Sequence, residues 1–255
     1  MFKKRLSLFL SILFWLAPLC FFLGWQVVLY YPSLFPAVVI ISLLLLIPVA
    51  YEAAGRKRGW RAGFIFISLG LLLSSFFLFI SFLSSRWLVQ LLWLPIIYYF
   101  YRYFWTIKKI DSTGSAAEWA QVSLYGGLLT IFLTASSLFG LQAFLSLSPW
   151  PLLAAFAIIL LANTQALAFS QGWNNKAYFW LWPFLTLIIA EIAMMLTLLP
   201  LNYLISGILT ALAYYSALNF IRLYLNNSLT KRKIKNYAWF TAISLIVILL
   251  TARWL

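Results

Sequence analysis

The stretch YFWLWPFLTLIIAEIAMMLTLL, Tyr178–Leu199, decides the fold. About 20 consecutive apolar residues are needed to cross the hydrocarbon core of a bilayer as a helix, and this run supplies them. A single formal charge, Glu191, sits inside it. In such surroundings a carboxylate is expensive and often functional.

Runs of the same kind recur along the chain. Of its 255 residues, 65% are hydrophobic and only 9% are charged, against about 25% charged in an ordinary soluble domain. Such a composition cannot cover a water-facing surface, and no segment is long and polar enough for a separate soluble domain. The sequence therefore predicts an all-α, polytopic transmembrane bundle, a single integral membrane domain over residues 1–255. About nine spans are expected, at 6–30, 34–51, 62–85, 87–105, 119–147, 150–170, 178–199, 201–224 and 237–254. The N-terminal MFKKRLSLFLSILFWLAPLCFFLG resembles a signal peptide. Its apolar run continues too far for one, so it reads as a retained first helix.

The basic residues orient the chain. There are eighteen Lys and Arg against four acids, a formal net charge of +14. In a soluble protein that balance would suggest nucleic acid; beside apolar helices it is better read as an orientation signal. With the N-terminus inside, every Lys and Arg except Arg86 and Arg253 falls on the cytoplasmic side, which predicts N-in and C-out. The outer connections YPS, SSRW, SPWP and LPLN are short and almost uncharged, whereas the inner ones are longer and basic. Trp and Tyr gather near span ends, as an aromatic belt does.

Histidine is absent and Cys20 is the single cysteine. A histidine-based metal site, a Ser-His-Asp triad and a Cys-His pair are thereby excluded. No metal or other cofactor is expected, and Cys20 reads as a small packing residue. Nor is there a phosphate-binding glycine loop.

Glu191 is the sharpest remaining candidate. Its helical neighbours Leu187, Ile188, Met194, Met195 and Leu198 are all apolar, so any partner must come from another helix. Hydroxyls at similar expected depth include Ser74, Ser75, Thr134, Ser136, Ser137 and Thr210. On this basis Glu191 is expected to point into the bundle. There it would handle a proton or cation, or join helices as a hydrogen-bonded carboxylic acid. Nearer the inner surface, Asn163 and Gln165 of the sixth span and Asn219 and Arg222 of the eighth could line a polar cavity, although isolated amides more often tie neighbouring helices together.

Small residues mark close packing in the fifth to eighth spans: Gly126, Gly127, Ser136, Ser137 and Gly140 in the fifth, and Ser206, Gly207 and Thr210 in the eighth. The stretches QALAF (Gln165–Phe169) and SALNF (Ser216–Phe220) follow Pro149 and Pro200 at one spacing, a hint of repetition. The aromatic WLPIIYYFYRYFW (Trp93–Trp105) reads as an interfacial belt with Arg102 snorkelling from it. Two basic clusters face the inner leaflet: Arg56, Lys57, Arg58 and Arg61, then Lys231, Arg232, Lys233 and Lys235. They suit anionic lipid headgroups. Near Ser115, a helix start would place Glu118 at the positive end of a helix dipole.

The sequence thus points to a multi-pass protein of a prokaryotic cytoplasmic membrane, not an enzyme, acting as an accessory or assembly component. Its expected partners are anionic lipids at the inner face and another membrane protein; no specific nucleic-acid signal exists. The rival is a small permease using Glu191.

Overall fold

The computed structural model describes residues 115–173 and 178–252, and positions 23, 24, 26–28, 30–34, 37, 38, 40, 41 and 44. The predicted third and fourth spans lie outside the described residues. So do the Arg56–Arg61 cluster, Lys176, Cys20, Ser74, Ser75 and the Trp93–Trp105 stretch. The chain divides into two compact units, residues 1–119 and 120–255.

In the first unit the described residues form a helical hairpin. Helical residues run to Tyr30, and a 3-10 turn, Pro32–Leu34, reverses the chain before helix resumes by Ala37. Tyr31 N–H donates to the Val27 carbonyl at 2.8 Å and Leu34 N–H to that of Tyr31 at 3.0 Å. Val28 and Val38 are buried. Gly24 lets the two arms close up, because a Cβ there would lie 3.2 Å from Val38 Cγ1.

The second unit holds five helices: α1 (Ser115–Leu145), α2 (Pro149–Ser170), α3 (Leu181–Thr197), α4 (Tyr203–Leu225) and α5 (Lys231–Thr251). No strand occurs among the described residues. Four helices are long and apolar enough to cross a membrane: α1 from Ser123, α2, α4 and α5. α1–α5 fall on the fifth to ninth predicted spans, and two of these helices have ends that differ from the predicted bounds. α3 is shorter than Tyr178–Leu199. Pro183 lacks the N–H that would bond Phe179, which stops the helix growing backwards, and Pro200 limits it at the other end. α5 starts at Lys231, six residues before the expected Tyr237, because Thr230 caps it by accepting from Lys233 N–H at 3.4 Å. Apolarity marks the hydrocarbon-embedded part of a helix, while the cap sets where the helix begins.

The turns after α2 and α4 stop a helix in the same way. At the end of α2, Trp173 N–H reaches the Ala168 carbonyl at 2.9 Å, with Gly172 at φ +76°. At the end of α4, Ser228 N–H reaches that of Leu223 at 3.0 Å, with Asn227 at φ +48°. This bond from the residue after a left-handed position is the Schellman closure, and glycine and asparagine are the residues that take that backbone most easily.

Packing is sequential, α2 on α3, α3 on α4 and α4 on α5, with α4 also meeting α1 and α2. Two notches fix the closest approaches. A Cβ on Gly127 of α1 would lie 2.6 Å from Leu167 Cδ1 of α2, and one on Gly207 of α4 would lie 2.9 Å from Ser136 Cβ and 3.0 Å from Ser136 N of α1. Small residues let helix backbones come together where hydrophobic exclusion from water gives no driving force, because lipid tails are as apolar as leucine. The alanines of α2 divide: Ala166 is buried, whereas Ala154 and Ala155 are exposed. The repeated stretches lie in unlike frames, since Pro149 is the first residue of α2 whereas α4 starts three residues after Pro200. α5 is peripheral and buries no residue. It holds to α4 by the Ser216–Thr241 hydroxyl pair at 2.8 Å and an edge contact of Tyr215 with Phe240.

Candidate functional site

The seam where α1, α2 and α4 meet is polar as well as tight. Thr130, Thr134, Ser136 and Ser137 of α1, Asn163 and Thr164 of α2, and Ser206, Thr210 and Asn219 of α4 are buried. Most of these groups are satisfied within their own helix. Thr130 Oγ1 donates to the Gly126 carbonyl at 2.8 Å and Thr134 Oγ1 to that of Thr130 at 2.6 Å. Thr164 Oγ1 likewise reaches Leu160 O at 2.7 Å, and Thr210 Oγ1 reaches Ser206 O at 2.8 Å. This back-bonding lets a hydroxyl sit in an apolar environment without recruiting a partner helix. Asn219 Nδ2 does the same, to Tyr215 O at 2.8 Å.

Two polar contacts cross the seam. Asn163 Nδ2 donates to the Gly127 carbonyl at 3.0 Å, joining α2 to α1 beside the Leu167 notch. Thr164 Oγ1 and the hydroxyl of the fully buried Tyr214 lie 3.2 Å apart, joining α2 to α4. Four buried atoms, Ser123 Oγ, Ser136 Oγ, Ser137 Oγ and Asn163 Oδ1, have no hydrogen-bond partner. Ser136 meets Gly207 where α1 touches α4, and Ser137 and Thr210 are buried on the same two helices, but Glu191 is not buried with them.

Glu191 is exposed. The buried residues of α3 are Trp182, Leu185, Thr186, Ile189, Ala193 and Leu196. At about 100° per residue they form one stripe, and Glu191 falls on the opposite side of the helix. Its outward face carries Trp180, Phe184, Leu187, Met195 and Leu198, all exposed. Among the described residues none hydrogen-bonds or ion-pairs with Glu191. The expectation that it points into the bundle toward the hydroxyls is therefore corrected. The chemistry of its neighbours left its facing open; the helical phase of the packed residues fixes it. A signal existed in the sequence: two small residues of α3, Thr186 and Ala193, stand seven residues, about two turns, apart on the side away from Glu191.

Glu191 nevertheless stands well inside an apolar helix of 17 residues. α3 packs between α2 and α4, both long enough to span. At 1.5 Å per residue Glu191 stands roughly 9 Å along the axis from Thr197 and roughly 15 Å from Leu181.

Beside this face, toward the start of α3, an open groove of about 610 Å³ is lined by Tyr178, Trp180, Leu181, Pro183, Phe184, Leu187 and Tyr224. Apart from two tyrosine hydroxyls and the indole N–H its walls are apolar. Sequence reasoning placed aromatics at span ends without finding this groove, because it is formed by the turn before α3 folding against the end of α4. Trp173 stacks on the buried Trp182 at 6.1 Å, which braces that turn.

The described basic residues collect at the α4–α5 turn. Arg222, Lys231, Arg232, Lys233 and Lys235 are all exposed there. Gln165 is exposed on α2 and does not join Asn163, so the four inner-half polar candidates do not converge on one cavity. No family model, curated protein or solved structure matches the chain.

Proposed function

We propose that this is a multi-pass integral membrane protein of about nine spans, N-in and C-out, in a prokaryotic cytoplasmic membrane. It acts as an accessory or assembly component rather than as a transporter or an enzyme. The observation that carries this reading is the division of labour around α3. The seam between α1, α2 and α4 is filled side chain against backbone at Gly127 and Gly207. The one acid at membrane depth on α3 points the other way. A permease that moved a solute past Glu191 would place that carboxylate on a path between packed helices, beside polar groups that could hand a proton or cation onward. Its exposed neighbours are instead large and apolar.

The basic end of the second unit supports the other half of the reading. Each cation near an anionic leaflet contributes about 1 kcal/mol of attraction. The cluster at the start of α5 is exposed and lies on the side where the predicted inner loops gather their charges.

The test is reconstitution of the full chain in sealed vesicles with a pH-sensitive dye inside. Wild type and Glu191→Gln are expected to show the same proton leak under an imposed pH gradient, with and without a mixture of small solutes. Solute-dependent proton entry in wild type that Glu191→Gln abolishes would establish the permease instead.

A further inference from the structure

We propose that the outward face of α3 is a docking site for a transmembrane helix of another protein, one that carries a lysine or arginine at the depth of Glu191. This deepens the accessory reading above and rests on it.

Trp180, Phe184, Leu187, Glu191, Met195 and Leu198 are successive members of one exposed stripe, separated by four, three, four, four and three residues. Spacings of this kind form the ridge that a second helix packs against. The apolar members would be content in lipid, and by themselves they call for no partner. Glu191 is the member that lipid does not satisfy. Ionisable residues at this depth face a bundle interior or pair with a complementary group, and among the described residues none pairs with Glu191.

The complement does not come from this chain's own cations. The described ones flank the α4–α5 turn, at the end where α3 begins, whereas Glu191 lies in the half where α3 ends. The others, Arg102 and Arg253 included, fall outside the predicted spans or within four residues of a span end, at interfacial rather than mid-membrane positions. A second copy seated face to face on the same stripe would bring carboxylate to carboxylate, which disfavours the charged pair. A cationic side chain on a foreign helix supplies both the charge and the donors that Glu191 lacks.

The groove gives the partner a register. Phe184 and Leu187 belong both to the stripe and to the groove wall. They stand roughly 6–10 Å from Glu191 along the axis. A partner helix with its basic residue opposite Glu191 would therefore place a large apolar side chain, one to two turns nearer the inner surface, against the aromatic groove.

The experiment uses the full chain in phosphatidylcholine vesicles, where the basic loops find no anionic lipid. A donor dye sits on Leu147→Cys in the α1–α2 turn, with Cys20→Ser. The probe is an acceptor-labelled leucine–alanine transmembrane peptide with one lysine at the depth of Glu191. Energy transfer should report association at least tenfold tighter than for the same peptide with leucine in place of lysine. Glu191→Gln and Glu191→Leu should each remove that difference while helix content stays constant. Glu191→Leu combined with Ile246→Glu, which moves the acid to the exposed side of α5, should not restore it.

Equal binding of the lysine and leucine peptides would overturn the proposal. So would full recovery with the acid on α5, since the stripe and groove would then contribute nothing. Energy transfer between labelled copies of the chain that Glu191→Leu abolishes would assign the face to self-association and overturn it as well. Proton leak measured in the same vesicles keeps the two readings apart: a peptide that fails to bind while leak stays at background sinks this proposal alone.

Discussion

Gly207→Ala tests whether the seam is as closely packed as it looks. The new Cβ would run first into Ser136 Oγ, and even with that hydroxyl turned aside it would stand 2.9 Å from Ser136 Cβ and 3.0 Å from Ser136 N. The hydroxyl can rotate away, but Cβ and N cannot, so α1 and α4 must separate. Overpacking of this kind costs about 1–3 kcal/mol, and contact with backbone argues for the upper part of that range. Replacing glycine by alanine within a helix returns up to about 1 kcal/mol. The net loss should be about 2 kcal/mol. The assay is reversible unfolding in mixed micelles by titration with SDS, followed by helix ellipticity.

Two companion variants make that loss diagnostic. Ser136→Gly removes the opposing Cβ and should couple to Gly207→Ala by at least 1 kcal/mol in a double-mutant cycle. Ser136→Ala removes the hydroxyl, the atom nearest the new Cβ, but leaves its own Cβ in place, so it should couple less than Ser136→Gly. Gly172→Ala is the contrast. Nothing lies within 4 Å of a Cβ there, and its φ of +76° alone carries the penalty, about 1 kcal/mol. Coupling below about 0.5 kcal/mol between positions 136 and 207 would refute the packing argument.

Asn163→Ala should destabilise the bundle by about 1 kcal/mol by removing the α2–α1 bond, whereas Asn219→Ala, whose amide bonds its own helix, should cost less in the same titration. Replacing Arg232, Lys233 and Lys235 together by glutamine should weaken binding to anionic vesicles by up to about 3 kcal/mol at low salt, read by co-flotation; unchanged binding would leave these residues as orientation signals only. Reporter fusions after Ser33 and Ser148 should report the outer side, and fusions after Arg58 and Lys233 the inner side. A cytoplasmic signal after Ser148 would reverse the orientation.

The class of the protein is written in its composition, because a chain with 65% hydrophobic and 9% charged residues has too little polar surface to face water. Turn positions were legible too: Pro32, Ser148, Gly172 and Pro200 lie at or beside chain reversals, since proline and glycine act on the backbone locally. The close packing of Gly127, Ser136, Gly207 and Thr210 followed from residue size.

Only the tertiary structure decided which way Glu191 faces. In water, an amphipathic pattern separates the buried side of a helix from the exposed side. In lipid both sides are apolar, so Leu187 and Ile189 read alike in sequence although one is exposed and the other fully buried. The same holds for the hydroxyls. Ser136 of α1 and Thr210 of α4 are both buried, but whether a hydroxyl bonds its own helix or a neighbour depends on interhelical distances of a few tenths of an ångström. The sequence could show that a lone carboxylate interrupts an apolar run; the phase of α3 against α2 and α4 turned it outward.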